Sequence, residues 1–194
     1  MPSSLELQLA PPAQPICAGV AGLAGWNTYE SVEHRFLIEY PHDYALAERA
    51  FELAAPGAVV TFVPALDPSL NPTGTRTTLL QASVTVGVTP AAFFPGPGAP
   101  CGDCRVVRRP SGWPGYGDGH FLVCDRTEGA AGHRFSLLSY STVCGGRRYQ
   151  IVLYLDCANP DCYPPGEIRP FDRTEIVRVF EAMVDTFRCR SGGR

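Results

Sequence analysis

The chain has 194 residues, of which 45% are hydrophobic and 18% charged, values typical of one globular domain rather than a disordered segment. Its net charge of −3 argues against nucleic acid as the main partner, because binding phosphates needs a concentrated positive surface. The 20 glycines and 19 prolines predict many turns and long connections.

Eight cysteines, an even number, predict disulfide bonds and a secreted, periplasmic or cell-surface protein. Residues 1–25 lack a basic start and contain several prolines, so they do not resemble a signal peptide. We expect an irregular tail there, a single domain over 26–190, and an export signal outside this chain. No stretch approaches the roughly 20 apolar residues of a membrane helix, so membrane contact is expected only through an upstream anchor.

The first elements form a predicted hairpin. Residues 26–30 read as a strand, and Phe36, Ile38 and Tyr40 alternate along a second strand that stops at Pro41. Residues 43–54 are ambiguous between a helix and an extended segment, and we predict a helix. Residues 58–63 and 77–88 then predict two strands, the second with one face formed by Leu80, Ala82, Val84, Val86 and Val88.

Residues 89–119 are rich in proline and glycine, and at about 30 residues they far exceed a typical connection of about 4–6. Connections of this length are usually functional or disordered, so we expect this loop to supply a contact surface. Its candidate binding residues are Trp113, Tyr116, Arg105, Arg108 and Arg109. Arg147 and Arg148 could join these arginines in space.

Three strands in meander order are predicted next, at residues 120–125, 134–143 and 149–156, with glycines in the turns between them. The chain closes with a predicted helix. Asp172 and Glu175 have capping-box spacing at its start, and Phe171 and Ile176 could pack as a hydrophobic staple. The helix carries an apolar stripe formed by Ile176, Phe180, Met183, Val184 and Phe187.

The Phe-x-x-x-Tyr-Pro strand at 36–41, the β-rich middle and a terminal helix ending in Thr186-Phe187-Arg188 resemble the PsbP/Mog1-like family, especially its small secreted bacterial members. The resemblance covers about residues 26–189. It implies an α+β fold, a central antiparallel sheet flanked by helices in an αβα sandwich. It also implies a non-catalytic protein without a cofactor, because family members include a photosystem subunit and a Ran-binding protein that use no catalytic side chain.

The cysteines leave most pairings open. Cys157 and Cys162 flank an Asn-Pro turn and form our first predicted bridge. Cys144 could reach Cys101 or Cys104. The partners of Cys17, Cys124 and Cys189 remain undetermined by the sequence.

The preferred interpretation is a binding or accessory protein whose partner is another protein or an envelope component. One alternative is a zinc or thiol module built on Cys101, Cys104, His120 and Cys124. An extended strand would place His120 and Cys124 about 13 Å apart, too far for one ion, and no helix follows the C-x-x-C pair to activate a thiolate. A structural envelope component is a third possibility.

Overall fold

The computed structural model describes residues 25–47, 55–64, 77–91, 103–108, 120–130 and 132–190. This part of the chain contains ten strands, one 3₁₀ turn at Pro160–Cys162 and one α-helix. The strands and helix are β1 (Trp26–Ser31), β2 (Phe36–Pro41), β3 (Tyr44–Ala47), β4 (Ala58–Pro64), β5 (Leu79–Pro90), β6 (Asp103–Arg108), β7 (His120–Ala130), β8 (His133–Cys144), β9 (Arg147–Ala158), α1 (Thr174–Thr186) and β10 (Arg188–Cys189).

The strands form two antiparallel sheets. The small sheet has the order β1-β2-β10, and the large sheet has the order β3-β4-β5-β9-β8-β7-β6. The β1–β2 hairpin and the β7–β8–β9 meander confirm the pairings predicted from the sequence.

One hydrophobic core lies between the inner face of the large sheet and a second layer made of α1 and the small sheet. In that core, Phe180 of α1 packs against Tyr140 of β8 with ring centroids 5.6 Å apart, and Tyr140 donates a hydrogen bond to Glu181. The most deeply buried members are Phe36, Ile38, Phe62, Val84, Val86, Tyr149, Ile151, Leu153, Phe180, Met183, Val184 and Phe187.

The predicted αβα sandwich is wrong. Within the described residues, α1 is the one α-helix, and it shares its layer with a second β-sheet. The fold is therefore mostly β, with two antiparallel sheets and a single helix that packs on their shared core.

Part of the predicted helix at 43–54 is instead strand β3. Its four residues pair with β4, which brings Tyr44 opposite Pro64 and buries it. Burial, followed by the charge of Asp43, raises the pKa of Tyr44 to about 12. Pairing with β4 thus outweighs the helical preference of this short segment, as tertiary contacts commonly do. Residues 48–54 lie outside the described part.

Two further sequence predictions change in detail. The register shifts between Leu79 and Gln81, so Leu79 points into the core while Leu80 is 46% exposed. The predicted irregular loop at 89–119 is shorter than expected, because β5 extends to Pro90 and β6 occupies Asp103–Arg108.

The final helix is confirmed, but its start differs from the predicted capping box. The carboxylate of Asp172 accepts the Thr174 amide at 2.9 Å, and hydrogen bonds from Thr174 hold the pKa of Asp172 below its ordinary value. Glu175 pairs with Arg178 instead of closing the box. Phe171 and Ile176 both pack against the core.

Gly87 lets the segment before β4 cross closely over β5. A Cβ atom at Gly87 would lie 2.5 Å from the carbonyl oxygen of Pro56 and 3.1 Å from the Ala55 methyl group. The Val88 amide donates to the Gly57 carbonyl at 2.9 Å, which fixes the crossing.

We therefore expect Gly87→Ala to lower the free energy of unfolding by about 1–3 kcal/mol, since backbone must move to make room. Gly129→Ala is the matched control, because its nearest contact would be an ordinary 3.6 Å. That control is expected to be neutral or slightly stabilising. Urea denaturation of both variants measures the difference, and equal stabilities would contradict the close crossing.

Candidate functional site

One end of the large sheet collects several strand ends. Pro90 of β5 pairs with Arg147 at the start of β9, and Arg147 pairs with Cys144 at the end of β8. The start of β7 lies at the same end, because Leu122 pairs with Ser141 near the end of β8, and the last residue of β6 lies there too, because Arg108 pairs with His120. The chain segments that enter and leave the proline- and glycine-rich region therefore meet this end.

A cleft of about 370 Å³ opens here between the two sheets, and we call it the interlayer cleft. The cleft combines Glu33 and His34 of the β1–β2 turn with residues of β5 and of the β8–β9 turn. Its lining residues are Glu33, His34, Val88, Thr89, Pro90, Gly146 and Arg147.

The β8–β9 turn forms one wall. Gly145 and Gly146 have φ values of 55° and 75°, as in a two-residue hairpin turn with both central residues left-handed. The carbonyl of Gly146 accepts the amide of Ala91 at 3.1 Å, which attaches the end of β5 to this turn. The turn thus places Arg147 on the cleft wall.

The β1–β2 turn forms the opposite wall. The hydroxyl of Ser31 accepts the His34 amide at 3.2 Å, and Arg35 adopts a left-handed conformation with φ 56°. A non-glycine residue with this φ is uncommon, because the conformation costs free energy. The contacts around the turn must therefore hold Arg35 in it. The carbonyl of Arg35 accepts the amide of Arg190, which extends the small sheet beyond β10.

Two hydrogen bonds and a disulfide join the walls. Arg147 donates through Nη1 to the Glu33 carbonyl at 2.9 Å, and the Tyr149 hydroxyl donates to the His34 carbonyl at 2.9 Å. The disulfide connects Cys144, just before the β8–β9 turn, with Cys189 of the small sheet, with Cα atoms 6.5 Å apart. The cleft is therefore held in shape from both sheets.

The lining residues bring an imidazole, a carboxylate, a hydroxyl and a guanidinium to the cleft. The side chain of His34 is 30% exposed and lies 3.9 Å from the carboxylate of Glu33, whose side chain is 86% exposed. Thr89 provides the one side-chain hydroxyl among the lining residues, and the other β5 residues offer apolar surface. This arrangement can bind a small polar group with an apolar part.

Of the five predicted binding residues, the structure describes the side chain of Arg105 alone, so the predicted contact surface stays a prediction. Arg105 is exposed on β6, and β7 and β8 separate that strand from β9 and Arg147. At about 4.8 Å per strand, β6 and β9 lie about 14 Å apart, so the described arginines form no contact cluster there. Trp113, Tyr116 and Arg109, like the side chain of Arg108, lie outside what the structure describes.

Among the described residues, four cysteines form two disulfides. Cys104 and Cys124 face each other across β6 and β7 with Cα atoms 4.2 Å apart, and Cys144 pairs with Cys189. The predicted Cys157–Cys162 bridge is wrong, since both residues are free, and so is the predicted reach of Cys144 to Cys101 or Cys104. Cys17 and Cys101 lie outside the described residues.

The zinc alternative loses two of its four ligands to the Cys104–Cys124 disulfide. The described residues contain no group of three or more His, Cys, Asp or Glu side chains that could hold a metal ion. Burial, followed by the charge of Asp156, raises the pKa of the free Cys157 thiol, which makes it a poor nucleophile at neutral pH.

The described carboxylates at the far end of the large sheet pair with basic groups rather than with each other. Asp125 binds Arg173 at 2.7 Å, Asp156 binds His133 at 2.8 Å, and Asp161 binds Arg134 at 3.0 Å. These contacts do not form the acid pair that general acid–base chemistry would use.

Sequence reasoning did not find the interlayer cleft. Its residues come from positions 33–34, 88–90 and 146–147, and none belongs to a recognisable motif. The glycine pair before Arg147 was the one usable signal, because it predicts a tight turn that projects the following side chain at a strand end.

Within the described residues, no helix combines the length and the hydrophobicity needed to cross a membrane. No protein-family model matches the chain, and no curated protein is similar enough to be a relative.

The solved structures that are similar over most of the chain include the following two. One is a crystal structure of a protein from Bacteroides thetaiotaomicron, 13% identical with a TM-score of 0.48 over 88% of this chain. This chain spans 50% of that protein's length. The other is the solution structure of the cyanobacterial PsbP (CyanoP) from Synechocystis, 14% identical with a TM-score of 0.39 over 90% of this chain and 97% of that one. At these values neither similarity bears on function.

Replacing Cys144 and Cys189 together by serine should lower the free energy of unfolding by about 4 kcal/mol, because the bridge closes a loop of 45 residues. Urea denaturation without reductant measures this loss. The Cys104–Cys124 bridge closes a shorter loop, with a sequence separation of 20 residues. Replacing both of its cysteines by serine should therefore lower the free energy of unfolding by less, about 3 kcal/mol. Alkylation of the denatured, unreduced wild type should leave all four cysteines unmodified, and their labelling would contradict both bridges.

Proposed function

We propose that this protein is a non-catalytic, extracytoplasmic binding or accessory module that recognises its partner at the interlayer cleft. The partner is another protein or an envelope component, contacted at the cleft and by the proline- and glycine-rich sequence that follows Ala91. The observation that carries this proposal is the covalent and hydrogen-bonded closure of the cleft walls by Cys144–Cys189, Arg147 and Tyr149.

A cleft held in shape favours binding because little conformational freedom is lost when a partner enters. The wall of the β1–β2 turn is fixed at two main-chain carbonyls, those of Glu33 and His34. The volume of the cleft, about 370 Å³, falls within the range of about 300–1,000 Å³ typical of ligand pockets.

The position of the cleft supports a role for the loop. The residues before the loop, Val88 to Pro90, line the cleft, and Ala91 is hydrogen-bonded to the β8–β9 turn. A partner seated in the cleft would therefore lie beside the start of this proline- and glycine-rich segment.

A non-catalytic role is supported by the composition of the cleft. Glu33 projects into solvent, so its carboxylate is not held against His34 in the buried arrangement that orients a general base. A non-catalytic role also agrees with the resemblance of residues 36–41 and 186–188 to the PsbP/Mog1-like family.

An extracytoplasmic location is supported by the two disulfides, which persist in oxidising compartments.

The proposal predicts that oxidised protein captures a partner from the envelope or culture-medium fraction of the source organism, and that the partner is recovered with unchanged mass. Arg147→Glu, and separately a Gly/Ser replacement of residues 92–102, should each reduce capture at least about tenfold, the equivalent of about 1.4 kcal/mol. Quantitative mass spectrometry measures both the amount and the integrity of the partner.

Arg178→Glu is the matched control, because Arg178 lies on the exposed surface of α1, where it pairs with Glu175. Its capture should equal that of the wild type. Equal capture by the two site variants, with unchanged denaturation curves, would remove the basis of the proposal, and chemical conversion of the partner would contradict the non-catalytic role.

A further inference from the structure

We propose that the interlayer cleft binds an organic carboxylate, with the guanidinium of Arg147 as the group that recognises it. This inference rests on the proposed function, which makes the cleft a binding site, and adds the chemical class of what enters. The ligand combines one negative charge with a short apolar part.

The hydrogen bonding of Arg147 carries the inference. A guanidinium has five N–H donors arranged to bind a carboxylate through two parallel hydrogen bonds. In the described residues, the Glu33 carbonyl is the acceptor bound to the Arg147 guanidinium, and no carboxylate lies within 4 Å of it. Five other described arginines are neutralised by acids: Arg126 by Glu128, Arg134 by Asp161, Arg173 by Asp125, Arg178 by Glu175 and Arg190 by Glu30. Arg35, Arg105 and Arg169 share with Arg147 the lack of an acid partner among the described residues, but Arg147 is the arginine that lines the cleft.

The bond to Glu33 also positions the guanidinium. It uses Nη1 and leaves further donors of Arg147 on a side chain that lines the cleft. Because the acceptor is a main-chain carbonyl, the positive charge is oriented without being cancelled. An entering carboxylate would supply the missing counter-charge.

The other lining residues select the rest of the ligand. Val88 and Pro90 give apolar surface, which suits a hydrocarbon segment next to the charged group. A single guanidinium balances a single negative charge, which favours a monocarboxylate over a phosphate dianion. Glu33 opposes an anion only weakly, because its side chain is 86% exposed and its charge is screened by water.

Two sources share this chemistry, a free small acid and the C-terminal residue of a protein chain. A cleft of about 370 Å³ accommodates either one. The probes below therefore include both a simple acid and a peptide terminus.

The test is an NMR titration of the full, oxidised chain, following the backbone amides of Gly146 and Arg147 and the Arg147 side-chain Nε–H signal. Butyrate should shift these signals saturably, whereas butyramide and butylamine, of matched size but neutral or cationic, should bind at least about tenfold more weakly. N-acetyl-alanyl-alanine and its C-terminal amide repeat the comparison for a chain terminus. Tighter binding of the peptide acid than of butyrate assigns the site to chain termini, and the reverse assigns it to small acids; either result supports the inference.

Variants of two cleft residues separate a specific contact with Arg147 from a general effect of the protein's charge on butyrate binding. Arg147→Gln should lose at least about tenfold in butyrate affinity, and Arg147→Lys should retain part of it, because the charge stays while the two-pronged geometry is lost. Glu33→Gln should bind butyrate as tightly as the wild type or up to a few-fold more tightly. Arg126→Gln, an exposed arginine of β7 outside the cleft lining, should leave affinity unchanged, and urea denaturation confirms that each variant folds.

Several results would overturn the inference. If butylamine shifts the cleft signals more strongly than butyrate, or if Glu33→Gln weakens butyrate binding, the site selects another charge while its role as a binding site stands. Wild-type butyrate affinity in folded Arg147→Gln would also refute it. If no probe of any charge shifts the cleft signals, both this inference and the use of the cleft in the proposed function fail.

Discussion

The junction of the two sheets depends on the side chain of Tyr149. Its buried ring packs against Phe36 of β2 and Phe187 after α1, with centroids 6.1 Å and 5.4 Å away. Such aromatic pairs contribute about 0.5–1.5 kcal/mol each beyond the burial of their area. Its hydroxyl, which would be costly to bury without a partner, donates to the His34 carbonyl. The same residue therefore stabilises the core and fixes one wall of the interlayer cleft.

The Cys144–Cys189 disulfide strengthens this junction where the small sheet is weakest. β10 has only two residues, and it reaches β2 at Leu37 and Phe36. A strand this short contributes few ladder hydrogen bonds, so on its own it would separate readily from its neighbour. The disulfide attaches it to the large sheet at the turn that bears Arg147. Stability and site geometry thus depend on the same few contacts.

The site lies at the end of the large sheet where the two layers are joined. β5, β8 and β9 each have 12 residues, whereas the strands of the small sheet have six or fewer. The β1–β2 turn of the small sheet meets the β8–β9 turn at one end of the large sheet, and the cleft lies between these turns and the end of β5. The side chains that face the cleft, Arg147 above all, are not needed for the main-chain hydrogen bonds within either sheet.

The sequence by itself determined the elements whose signals are local. The alternation along 36–40, the glycine turns of the meander and the 3.6-residue stripe of α1 each reflect a periodicity of the chain, and all three are found in the structure. Tertiary structure alone decided the second sheet, the conversion of 44–47 to a strand, the inward turn of Leu79 and the pairing of Cys144 with Cys189. It also created the interlayer cleft. Each of these depends on which distant segment supplies a hydrogen-bonding edge, a packing surface or a second sulfur, and no local pattern contains that information.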